Sequence, residues 1–112
     1  MKAEANYVGL RTPNGCLVTC DGKELPPRTD LRKHTSLGFD WGNMGSGAAQ
    51  LSLAILSDFC GDEKALDLYE SFKNDIISSL GAQRWEMNAP MLIDWVRRAL
   101  KEHKRESQGN FV

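Results

Sequence analysis

Gly42, Gly45, Ser46 and Gly47 stand immediately ahead of the most apolar run in the chain, Ala48 to Leu56. Glycine accepts positive φ and lets other groups come close to the backbone. A helix start leaves up to four N–H groups without an intrahelical partner. A glycine bend that opens a helix is therefore able to hold a phosphate or carboxylate, with the helix dipole adding about 0.3–1 kcal/mol. Arg28, Arg32 and His34 form a basic cluster upstream, and Trp41 adjoins the bend. These eight residues are the candidate ligand-binding set. The same glycines also have a purely steric reading, in which an extended segment turns sharply onto a buried helix with Ser46 as its N-cap.

Catalytic patterns are thin. No Lys-Ser/Thr pair follows the last glycine, so the bend is not a Walker loop, and its spacing does not fit the dinucleotide fingerprint. Gly45-Ser46-Gly47 lacks the Gly-x-Ser-x-Gly spacing of a nucleophile elbow. A Cys–His pair joining Cys16 or Cys20 to His34 has no local signature behind it. Cys16, Cys20, His34 and Asp40 are a loose set without metal-ligand spacing. Glu63, Asp67, Glu70 and Asp75 read as a solvated helix face. No catalytic residue, metal or cofactor is assigned, and the reading leans away from an enzyme.

The elements that would position the bend fit a single domain of ordinary composition. The chain has 112 residues, 41% hydrophobic and 26% charged, with a formal net charge of −1, which argues against a generic polyanion binder. The three cysteines suit reduced thiols, with Cys16 and Cys20 on one side of a strand. No apolar run approaches a membrane span and no N-terminal apolar leader is visible, so a cytoplasmic location is expected.

Residues 1–6 are polar and expected to be disordered. Tyr7 to Arg11, Cys16 to Cys20 and Lys23 to Leu25 read as three short strands. Turns at Thr12-Pro13-Asn14-Gly15 and Asp21-Gly22 join them, and Pro26-Pro27 closes the series. Leu37, Phe39 and Trp41 alternate with Gly38 and Asp40, which suits a further strand. Helices are expected over about Gly47 to Phe59, Asp62 to Ser79 and Ala89 to Lys104. Their predicted punctuation is Gly61 as a C-terminal cap, Asp62 as an N-cap and Asn88 as another. The second helix carries the stripe Ala65, Leu66, Tyr69, Phe72, Ile76 and Leu80, and the third carries Leu92, Trp95, Val96, Ala99 and Leu100. Gln83 to Met87 is a short strand or an extended link. Trp85 and Trp95 are read as core anchors. The expected architecture is α+β: a small N-terminal antiparallel β-meander packed on a bundle of about three α-helices. The single domain spans 7–104, and a disordered tail covers 105–112.

Three stretches carry a resemblance. They are Tyr7-x-Gly9-x-Arg11, Asp21-Gly22-x-x-Leu25-Pro26-x-Arg28-x-Asp30-Leu31 and Gly38-Phe39-x-Trp41-Gly42-x-x-Gly45-Ser46-Gly47-x-Ala49-Gln50-Leu51-x-Leu53-Ala54. Together they resemble an uncharacterised family, known only as a domain of unknown function and met in bacteria, phages and plasmids. Its members often have an aromatic residue and a glycine in place of Asn43 and Met44, and a proline in place of Ala48. The resemblance implies a shared fold, no known reaction, and a setting in mobile elements.

The expected function is a non-enzymatic binding or inhibitory module that engages a protein partner through the Arg28–His34 segment and the glycine bend. The alternative is a binder of a small, nucleotide-like anion at Gly42 to Gly47. The basic residues Arg97, Arg98, Lys101, Lys104 and Arg105 read as a solvated helix face rather than a nucleic-acid surface.

Overall fold

The computed structural model describes the backbone of residues 1–109 and the side chains of residues 1–104. Strands β1 (Asn6–Thr12) and β2 (Gly15–Cys20) form an antiparallel hairpin in which Leu10 faces Leu17 and Val8 faces Thr19. Asp21 and Gly22, both at positive φ, turn the chain into β3 (Lys23–Glu24). Only two residues long, β3 stops before Pro26-Pro27, since neither proline can donate to a ladder. Because side chains alternate across a strand, Tyr7, Val18 and Cys20 enter the core while Leu10 and Leu17 stay on the outer face.

The Gln83–Met87 segment supplies a true strand. β4 (Arg84–Asn88) pairs antiparallel with the open side of β1, giving the sheet order β3-β2-β1-β4. The expected N-terminal meander is thus completed by a strand from late in the chain. Trp85 lies flat against β1 at Gly9, where a Cβ would fall 2.2 Å from the indole ring. A glycine is needed there for close approach rather than for backbone freedom.

Helix α1 (Ser46–Cys60) is the centre of the core, with Leu51, Leu53, Ala54, Ile55 and Leu56 all fully buried. A helix apolar on every side must be covered on several sides. Gly61, at φ +92°, ends α1 as expected, its N–H reaching the Ser57 carbonyl at 3.0 Å. Helix α2 (Asp62–Asp75) packs along α1 and ends earlier than expected, followed by a 3-10 turn at Ile77–Ser79. Its buried stripe is Ala65, Leu68, Tyr69 and Phe72, whereas the predicted Leu66 is exposed. Helix α3 (Ala89–Gly109) continues past the expected end at Lys104, and the remainder of the polar tail, 110–112, lies outside the described residues. Asn88 caps it as expected, its Oδ1 accepting the Met91 N–H at 3.1 Å. The stripe Leu92, Trp95, Val96 and Ala99 is buried, and Trp95 donates from Nε1 to Asp75 at 3.0 Å.

Three local expectations are corrected. The alternating Leu37–Trp41 segment is irregular rather than a strand. Gly38 at φ +99° breaks the pleat, and the Trp41 N–H is taken by the Asp40 carboxylate instead of a neighbouring strand. Gly45, not Ser46, holds the N-cap position of α1, and Ser46 is its first helical residue. Asp62 likewise begins α2 rather than preceding it, behind Gly61. Among the described residues no helix is long and apolar enough to cross a membrane.

Candidate functional site

The bend before α1 is organised by a carboxylate already present in the chain. Asp40 Oδ1 accepts the Trp41 N–H at 2.9 Å and Arg11 Nη1 at 3.0 Å, and its Oδ2 accepts Asn43 Nδ2 at 2.8 Å. Burial pushes this carboxyl up, but the bonds from Asn43, the Trp41 N–H and Arg11 outweigh it and hold its pKa below the usual range. Asn43 then turns its own Oδ1 to the Gly45 N–H at 2.8 Å, so one of the amides available for an incoming anion is already used. Asp40 also lies against the helix start, since a Cβ on Gly47 would meet the Asp40 Cβ at 2.7 Å. Gly42 sits at φ +77° with its N–H on the Ile77 carbonyl at 2.9 Å, and a Cβ there would strike the Leu80 carbonyl oxygen at 2.6 Å.

Trp41 forms the floor of the bend. It is 1% exposed, packs edge-on against Trp85 with ring centroids 5.5 Å apart, and donates from Nε1 to the Ala82 carbonyl at 2.9 Å. Arg11 covers its other side, with the guanidinium carbon 4.6 Å from the ring centroid and Nη2 on the Trp41 carbonyl at 3.0 Å. Arg11 thus joins a carboxylate, a carbonyl and an aromatic face in one fork, which a lysine cannot reproduce. The Trp85 Nε1 is the single buried polar side-chain atom without a partner among the described residues.

The upstream basic residues are engaged elsewhere. Arg28, itself at φ +57°, makes paired bonds to Asp62 at 2.9 Å and to Asp30 at 3.0 and 3.1 Å, and donates to Ser57 Oγ at 2.7 Å. These bonds raise its pKa still further and pin the chain to the α1–α2 junction, where Ser57 also bonds Asp62. Arg32 donates to the Tyr69 hydroxyl at 3.1 Å, and His34 Nε2 meets the same oxygen at 3.0 Å. Neither His34 nor Arg32 approaches a cysteine in these contacts. The residue that unites the segment is Gln50, 1% exposed in α1. Its Nε2 donates to the Pro27 and Arg32 carbonyls at 2.6 and 3.1 Å, and its Oε1 accepts the His34 N–H at 2.8 Å. Pro27 to His34 is therefore a strap held down on α1.

Between the bend, the β1–β2 hairpin and the start of α1 lies an open concavity of about 460 Å³, lined by Arg11, Cys16, Leu37, Phe39, Asp40 and Gly45 to Gly47. A second hollow of about 310 Å³, lined by Lys33, Ser36 and Gln50, adjoins it across Thr35 and Gly38. Leu37 is 95% exposed beside this opening, and Met44, in the same bend, is 56% exposed. Of the eight predicted residues, the concavity brings together Gly45, Ser46 and Gly47. Gly42 and Trp41 lie behind it, and Arg28, Arg32 and His34 belong to the strap. Cys16 has Arg11 Nη1 at 3.4 Å rather than a histidine, and burial, partly offset by Arg11, pushes its thiol up. All three cysteines are free. Among the described residues no group of three His, Cys, Asp or Glu converges as a metal site would require.

Arg11 and Gln50, both within the resembling motifs, lie outside the eight candidate site residues. Arg11 was legible as a charge at an inward position of β1, two residues after Gly9 and four after Tyr7. Gln50 was legible as the lone amide in an apolar helix run.

Residues 7–98 match the sequence model of DUF6166, a family of unknown function, and the chain belongs to that family. No curated protein and no solved structure resembles the chain closely enough to count as a match.

Proposed function

We propose, taking membership of a family without an assigned reaction as the premise, that the protein is a non-enzymatic interaction module whose partner contacts the bend between Thr35 and Gly45. The observation that carries this reading is Leu37, a leucine 95% exposed at the rim of a 460 Å³ concavity. Single exposed leucines are common on protein surfaces. Here Met44 is also exposed and Phe39 and Cys16 line the hollow beneath, so an apolar side chain from a partner would gain contacts on several sides. The partner is expected in the phage or plasmid setting that the motif's resemblance implies.

The test is a pull-down from the native host with the wild type and with Leu37→Asp. A stoichiometric partner retained by the wild type and lost by the variant, with the circular dichroism melt unchanged, supports the reading. A partner retained equally by both rules out this surface.

A second reading keeps a small anion in the same concavity, and one observation favours it: Arg11 and the first turn of α1 face the same space. The Asp40 carboxylate opposes it by already occupying Arg11 and the bend. Phosphate or a nucleotide should then shift the amide signals of Gly45 to Ala49, and a flat titration would remove this alternative.

A further inference from the structure

The free edge of the sheet carries a pattern that the bend does not use. β4 has a ladder partner on one side only. The Arg11 N–H donates to the Gln83 carbonyl at 2.8 Å. By the alternation of an antiparallel ladder, Trp85 and Met87 then spend their backbone groups on Gly9 and Tyr7. Arg84 and Glu86 turn their N–H and C=O groups away from β1. Among the described residues no loop backbone group bonds to them. Their side chains are 57% and 49% exposed, share the outer face, and pair with each other at 2.5 Å.

The two edges of the sheet are treated differently. β3 is closed after two residues by Pro26-Pro27. β4 has five residues and no proline. Charges on an edge strand ordinarily deter pairing. Opposite charges two residues apart act otherwise, because they are complementary to their own two-fold image.

We propose that β4 pairs antiparallel with β4 of a second copy, about a two-fold axis at Trp85, so that Arg84 of each chain lies opposite Glu86 of the other. Each facing pair exchanges two N–H···O=C bonds, and the two sheets become one. On the outer face the four charges alternate in sign. A slide of two residues either way sets Glu86 against Glu86 or Arg84 against Arg84, so charge selects the register.

Sedimentation equilibrium of the full chain, from micromolar to near-millimolar concentration, tests this. The wild type should dimerise reversibly. Arg84→Glu and Glu86→Arg should each weaken the dimer at least tenfold, and the double reversal should restore it, with all four proteins giving the same circular dichroism. Amide exchange at Arg84 and Glu86 should slow as the wild type dimerises. A monomer at every concentration overturns the proposal. So does a dimer indifferent to the single reversals, or a double variant as weak as either single.

Discussion

Gln50 Oε1 accepts the backbone N–H of His34 at 2.8 Å, beneath a strap whose carbonyls at Pro27 and Arg32 bond the same amide group. One buried side chain thus satisfies three backbone groups of an irregular segment, which has no ladder of its own to do so.

Gln50→Leu keeps the volume and removes every one of those bonds. The expected loss is on the order of 3 kcal/mol, since stranded buried polar groups cost about 1–3 kcal/mol each and the strap can lift to rehydrate some of them. Urea denaturation measures the loss. Amide exchange should show His34 deprotected well before the α1 core. A variant as stable as the wild type would mean that the strap is held by Arg28 instead.

Acid should act through Asp58. Its carboxylate accepts the Tyr7 hydroxyl at 2.6 Å and Lys2 Nζ at 2.9 Å, joining the sheet, the N-terminal segment and α1. Burial pushes this carboxyl up, but the Tyr7 and Lys2 bonds prevail and hold its pKa below the ordinary value. A depressed folded pKa means stability fully present above the ordinary carboxylate value of about 4 and lost as pH falls through the folded one. Tyr7 is shifted far upward, by burial first and Asp58 second, so its contribution is present below about pH 10 and erodes above it. Asp58→Asn should be less stable at neutral pH and show a shallower acid limb in urea midpoints taken from pH 7 to 3. A limb of unchanged slope would assign the acid sensitivity to other carboxylates.

The glycines of the bend should rank by geometry. Gly42→Ala meets both a left-handed φ and a backbone oxygen 2.6 Å away, and should cost about 2 kcal/mol or more in thermal denaturation. Gly45→Ala has an ordinary φ of −78° and meets only the Asn43 side chain at 3.0 Å, so its cost should stay below about 1 kcal/mol. Equal costs would remove the close-approach argument.

Leu37 and Arg11 should separate binding from stability. Leu37→Ser is expected to stay within about 0.5 kcal/mol of the wild type, as an exposed loop substitution should. Arg11→Met removes the bonds to Asp40 and the Trp41 carbonyl and should cost about 1–3 kcal/mol by the same assay. The Trp41 fluorescence environment should change in the second variant and not in the first.

Local patterns determined much of this protein. The apolar run from Ala48 to Leu56 specifies a central helix, Asn88 and Gly61 mark helix ends, and Asp21-Gly22 turns a hairpin. Each is a property of neighbouring residues, whose periods and backbone preferences act over one or two turns. Tertiary structure decided the rest. Only pairing with β1 makes a sheet strand of Arg84–Asn88, and Gly38 at positive φ together with the Asp40 carboxylate, held by Arg11 of β1, keeps Leu37–Trp41 out of one. Arg28 and Arg32 looked available in the sequence, yet Asp62 and Tyr69, more than thirty residues away, take them. Arg11 became the cation of the concavity because the sheet sets it over Trp41. A hydrophobic period records that a face is buried, but it carries no information about which distant donor or acceptor will meet a given side chain.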